Sequence, residues 1–126
     1  MKNFELTRTH VTPYTLLDIE RCELVIDGEC YPENPSAFFG PLMSALQAFH
    51  AEVKPGHFHV QISLQYLNSS STKGLRKIMV LLNDWAKGGV EVHVTWNFVE
   101  GDDVIEDLGG DLTDDLTSLR IRTQAV

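Results

Sequence analysis

Four consecutive hydroxyl residues, Ser69, Ser70, Ser71 and Thr72, follow the most regular strand pattern of the chain and open its most regular helix pattern. A strand that runs through a polar loop into a helix places such side chains at a helix N-terminus. Backbone N–H groups lack intrahelical partners there, and negative charge is stabilised. Two chemistries fit residues Asn68 to Thr72. One is capping of the helix by their side chains. The other is the holding of a phosphate, bound or covalently attached.

Other reactive side chains offer less. His57 and His59 share one face of a strand pattern, and His93 occupies a similar place in the next one. Three imidazoles on neighbouring strands define an alternative reading, a zinc-dependent enzyme. Against it, that strand face reads as open to water and nothing encloses the site. Cys22 and Cys30 have no surrounding nucleophile motif. They flank a predicted turn, which permits a disulfide, but they fit two reduced thiols better. No phosphate loop, dinucleotide glycine fingerprint, nucleophile elbow or zinc spacing occurs in the sequence. The residues call for no cofactor.

The elements that must position these groups are legible from periodicity. In residues 57–67, Phe58, Val60, Ile62, Leu64 and Tyr66 alternate with His57, His59, Gln61, Ser63 and Gln65. Val92, Val94, Trp96 and Phe98 repeat the pattern. Strands apolar on one face only describe a half-covered sheet. Leu75, Ile78, Met79, Leu82 and Trp85 give a helix over 72–86, stopped by Gly88-Gly89. Phe38, Leu42, Leu46 and Phe49 give an earlier helix, with Pro41 either starting it or disturbing its first turn.

Shorter apolar runs at 14–19 and 22–26 suggest a hairpin about Glu20-Arg21, and Asp27-Gly28-Glu29 reads as a turn ending the second strand. Residues 4–6 have weak strand character. Residues 102–108 suit a short helix closed by Gly109-Gly110, and residues 116–125 an edge strand or docked tail. The expected architecture is one α/β domain over 1–126, a mixed sheet of four to five strands with helices mainly on one face.

Charge narrows the partners. The net charge is −8, and the chain has 10 Lys and Arg against 18 Asp and Glu. Eight of those acids lie between Glu100 and Asp115 with no basic residue among them, so the rest of the chain is balanced. A nucleic-acid surface needs a basic footprint, which is missing; a basic protein partner is compatible. Without a long apolar run or the apolar core of a signal peptide at the start, neither membrane insertion nor export is expected, and the compartment expected is the cytoplasm.

Two polar loops stand before the two helix patterns: Tyr31-Pro32-Glu33-Asn34, and Leu67-Asn68-Ser69-Ser70-Ser71. With both helices on one sheet face, both loops fall at strand carboxyl ends, on a common rim. These two runs, with the Val94-Thr95-Trp96 strand and the acidic segment after it, resemble the SiaC-type regulatory phosphoproteins of bacteria. The likeness covers nearly the whole chain from about Thr12. It implies a fold like STAS domains and anti-sigma-factor antagonists, and no catalysis. It also implies a partner-switching adaptor: a Ser/Thr protein kinase modifies a hydroxyl in the Asn-Thr-Ser-Ser motif and a PP2C-type phosphatase reverses it. The unmodified form would bind and activate a diguanylate cyclase, promoting cyclic-di-GMP synthesis and biofilm formation.

The family's modified Thr corresponds to Ser69, a departure that keeps Ser70, Ser71 and Thr72 open as acceptors. Tyr31, Glu33, Asn34, Asn68, Ser69 and Ser70 form the expected partner surface. A competing reading keeps an STAS-like module that binds a small ligand, such as a nucleotide or lipid, near the same rim.

Overall fold

The alternation of residues 57–64 persists in three dimensions: Phe58, Val60, Ile62 and Leu64 are buried, while His57 and His59 are exposed. The computed structural model describes residues 1–126. Its elements in order are β1 (Phe4–Leu6), β2 (Tyr14–Asp18), β3 (Glu23–Cys30), α1 (Pro35–Val53), β4 (His57–Leu67), α2 (Ser69–Lys87), β5 (Glu91–Phe98), α3 (Asp103–Thr113) and β6 (Arg120–Ala125).

The strands form one six-stranded sheet in sequence order. β1, β2 and β3 are antiparallel; β3, β4, β5 and β6 are parallel. Each parallel crossover therefore steps to the next neighbour in the same direction. Right-handed crossovers then place all three helices on one face. A core of 27 buried residues fills the space between helices and sheet.

Six strands replace the expected four to five. β1 has three residues, and β6 is exposed at five of six positions, so neither carries a burial pattern to read. The Asp27-Gly28-Glu29 turn is instead the continuation of β3 to Cys30. Gly28 has φ +137°, and a Cβ there would lie 3.0–3.2 Å from Arg8 and Pro13, which pack over it. The hairpin loop is Ile19 to Cys22, wider than the two-residue turn, with Cys22 at φ +50°. Cys22 and Cys30 consequently sit at opposite ends of β3, roughly 25 Å apart along an extended strand, and both are free thiols.

α1 opens at Pro35 and runs through Pro41 without ending. Proline suits the first helical position because its missing N–H would be unpaired there. At Pro41 the Ala37 carbonyl loses its donor, while Phe38, Phe39, Leu42, Leu46 and Phe49 hold the helix to the core. α3 passes through Gly109 and Gly110. The reason is packing: a Cβ on Gly109 would lie 2.6 Å from the Trp96 ring. Glycine lets α3 lie on β5, where Trp96 Nε1 donates to the Ile105 carbonyl at 2.8 Å.

Candidate functional site

β3 and β4 run parallel and stay paired to their ends, with Cys30 opposite Leu67. The loop after β3 and the loop after β4 therefore emerge side by side. The Asn68 N–H donates to the Cys30 carbonyl at 3.2 Å, and the Tyr31 N–H to the Val11 carbonyl at 2.8 Å. These bonds join the two loops and the segment before β2 into one rim.

The pairing also contains an irregularity. Gly28 faces Leu64 while Glu29 faces Tyr66, so Gln65 is an extra residue in β4. Such a bulge shifts the side-chain alternation. Tyr66 leaves the buried row on which alternation placed it and is 50% exposed. Its ring meets that of Tyr31 edge to face, centroids 5.5 Å apart.

Helix α2 begins three residues earlier than its apolar stripe suggests, at Ser69. Asn68 is the N-cap, and its Oδ1 accepts from the Ser71 N–H at 2.9 Å. The four hydroxyl residues thus occupy the first turn. Ser69 and Ser70 are exposed. Ser71 is fully buried, with its hydroxyl beside the Cys30 thiol. Burial pushes that thiol up from its usual range, and the Ser71 hydroxyl offsets part of the rise. The Thr72 hydroxyl is half-buried and donates to the Asn68 carbonyl at 2.9 Å.

Tyr31, Glu33 and Asn34 are exposed on the same rim. Asn34 holds the N-cap position of α1 without a side-chain bond; its carbonyl accepts from the Ala37 N–H at 3.1 Å. The rim therefore gathers every residue expected on the partner surface, with Asn68 half-buried because it caps.

Two clefts flank Ser69 and Ser70, and the sequence pattern alone does not reveal them. One lies between α1 and α2, where Ser70 shares the walls with Phe39, Met43, Lys73 and Lys77. The other lies between α2 and α3, where Ser69 and Thr72 face Val104, Asp107 and Asp111. Val104 is 76% exposed, an apolar side chain amid the acids. α3 turns the acidic segment into an ordered wall. Asp102 caps it, Oδ1 accepting from the Ile105 N–H at 3.1 Å. Arg76 of α2 ties its far end: it bonds Asp115 through both guanidinium nitrogens at 2.7 and 2.8 Å and the Leu112 carbonyl at 2.9 Å. That pairing holds the Asp115 carboxyl below the usual range and raises Arg76.

The histidines behave differently. They lie on the open sheet face, away from the rim. His59 and His93 face each other across β4 and β5 with rings stacked at 5.1 Å and nearly parallel. Nitrogen lone pairs lie in the ring planes, so stacked rings do not converge them on one ion. His93 bonds Glu91 at 2.8 Å, which with Arg120 holds that carboxyl low. No group of three or more His, Cys, Asp and Glu side chains is arranged to hold a metal.

A six-stranded mixed sheet carrying three helices on one face, with serines exposed at a helix start on a two-loop rim, defines a small α/β domain. The chain belongs to the SiaC family: the family model, described as SiaC family regulatory phosphoprotein, matches residues 6–126. Solved structures agree. SiaC of Pseudomonas aeruginosa superimposes with a TM-score of 0.92 at 27% identity, both chains covered completely. The crystal structure of the diguanylate cyclase SiaD in complex with its activator SiaC, from the same organism, matches with a TM-score of 0.87 at 25% identity over 96% of this chain and 99% of that one. Apo-SiaC matches with a TM-score of 0.88 at 26% identity over 99% of this chain and 100% of that one.

Proposed function

We propose that this chain is a non-catalytic adaptor switched by phosphorylation of Ser69. In its unmodified form it binds and activates a diguanylate cyclase through Tyr31, Glu33, Asn34, Asn68, Ser69 and Ser70. A Ser/Thr protein kinase adds the phosphate and releases the cyclase; a PP2C-type phosphatase restores binding. The switch operates in the cytoplasm and uses no cofactor. Membership of the family supports it, as does likeness to a protein that activates SiaD.

The observation that carries the assignment is the position of Ser69, exposed at the first residue of α2. A phosphate there adds about −1.5 to −2 charges beside unpaired N–H groups that tolerate an anion. The domain stays folded while the charge and shape of the rim change, which suffices to switch an interface. Ser71 is closed to a kinase by burial, and the Thr72 hydroxyl is engaged. Ser70 is exposed like Ser69, and the correspondence with the family's Thr decides between them.

Incubation with the cognate kinase and ATP, followed by peptide mass spectrometry, tests the site. The phosphate should map to Ser69 and vanish in Ser69→Ala. Full labelling of Ser69→Ala would refute the assignment.

A further inference from the structure

We infer that a phosphate on Ser69 also acts inside the chain, loosening α3 by repulsion from Asp107 and Asp111 across the groove they share; this rests on the reading of Ser69 as the phosphoacceptor. Ser69 and Ser70 are neighbours in sequence, yet they line clefts of opposite charge. The groove of Ser69 contains two carboxylates and no cation. The cleft of Ser70 contains Lys73 and Lys77 and no carboxylate.

Asp107 and Asp111 are exposed and lie four residues apart, on one face of α3. Asp103 precedes them by the same step, so this face repels itself before any modification. A phosphate brings a further −1.5 to −2 charges to the facing wall. Lys73, one helical turn beyond Ser69, lines the other cleft. Arg76 lies on the α3 side of α2, but its guanidinium is already bonded to Asp115 and the Leu112 carbonyl.

What opposes the repulsion lies on the other side of α3: Ile105 and Leu112 are buried in the core, Trp96 packs on Gly109 and bonds Ile105, and Arg76 ties the C-terminal end. Should the phosphate draw Arg76 toward itself, the same tie to α3 is lost. Both responses weaken the α2–α3 contact, and both expose the apolar groove floor at Leu67 and Leu108. A phosphate on Ser70 meets lysines instead and leaves α3 in place.

The test uses the full chain with phosphoserine incorporated during translation at position 69 or at position 70, so that no kinase is needed. Hydrogen exchange is followed at the amides of residues 103–113. With phosphoserine at 69, α3 should exchange roughly tenfold faster than in the unmodified chain, the scale of a like-charge contact at a protein surface. The double substitution Asp107→Asn and Asp111→Asn should remove most of that acceleration. Phosphoserine at 70 should leave α3 at its unmodified rate. Unchanged α3 exchange with phosphoserine at 69 would overturn the inference, as would an equal acceleration from position 70 or one undiminished in the double variant. A kinase that fails to label Ser69 refutes the functional reading, whereas this coupling is measured on phosphoserine already in place.

Discussion

Tyr66 meets Tyr31 edge to face, ring planes at 76° and centroids 5.5 Å apart, because one extra residue in β4 turns Tyr66 off the buried face. The contact joins the ends of two parallel strands into a single aromatic step beside Ser69. Partly exposed tyrosines of this kind anchor protein interfaces at small cost in side-chain entropy.

Tyr66→Ala should therefore weaken binding to the proposed cyclase partner by roughly 10- to 100-fold, the range of an interface anchor. Calorimetric titration measures the loss, and circular dichroism should show an intact fold, since Tyr66 lies outside the core. Unchanged affinity would remove the aromatic step from the interface.

The first turn of α2 divides its labour between Asn68 and Ser69. Asn68→Ala removes the bond to the Ser71 N–H and should cost about 1 kcal/mol in urea unfolding. Ser69→Ala touches no such bond and should stay within about 0.5 kcal/mol of the parent. Equal losses would mean that Ser69 has a structural role.

Much of this arrangement is legible in the sequence, and the failures have identifiable causes. Strand alternation predicts β4 and β5 and the single covered face, because each strand there is buried on one side only. It fails at Tyr66, where the pairing of β3 with β4 slips by one residue. Gly28 and Gly109-Gly110 read as breaks, since glycine most often marks chain reversals. Here Gly28 yields to Arg8 and Pro13, and Gly109 to the Trp96 ring, contacts made by distant residues. The short β1 and the exposed β6 are made by pairing, which leaves no periodicity to read. The two loops of the rim are visible as polar runs, but the charge difference between the clefts beside them needs the packing of three helices.

Gly109→Ala should destabilise the domain by roughly 1–3 kcal/mol, the cost of overpacking a tight contact. The Cβ displaces α3 from Trp96 and breaks the bond from its indole to Ile105. Urea unfolding gives the energy, and the near-ultraviolet circular dichroism of the indoles should change with it. Gly110→Ala serves as the control: the closest atom to a Cβ there is an Asp114 oxygen at 3.6 Å, an ordinary contact.

The Arg76–Asp115 pair makes the seating of α3 dependent on acid. Its carboxyl is held below the ordinary value of 3.8, so the folded state binds the proton less readily than the unfolded chain. Stability from the pair is present above that value and is lost as the pH falls through the lower folded value. Asp115→Asn should be less stable than the parent near neutral pH, and the two should converge once the pH falls below the lowered folded value of the Asp115 carboxyl. The difference is small because Asp115 is 69% exposed. Thermal unfolding at several pH values measures it; a gap that persists at low pH would point to a contribution from the side chain other than its charge.

The central claim is that one phosphate on Ser69 decides whether the rim engages its partner. The most direct measurement is the affinity for the partner diguanylate cyclase of the unmodified chain and of the chain carrying phosphoserine at position 69, side by side at one salt concentration. The unmodified chain should bind and raise cyclase activity. The phosphorylated chain should bind at least roughly 100-fold more weakly, a loss of about 2.7 kcal/mol, and leave the cyclase at its basal rate. Equal binding and equal activation by the two forms would contradict the account.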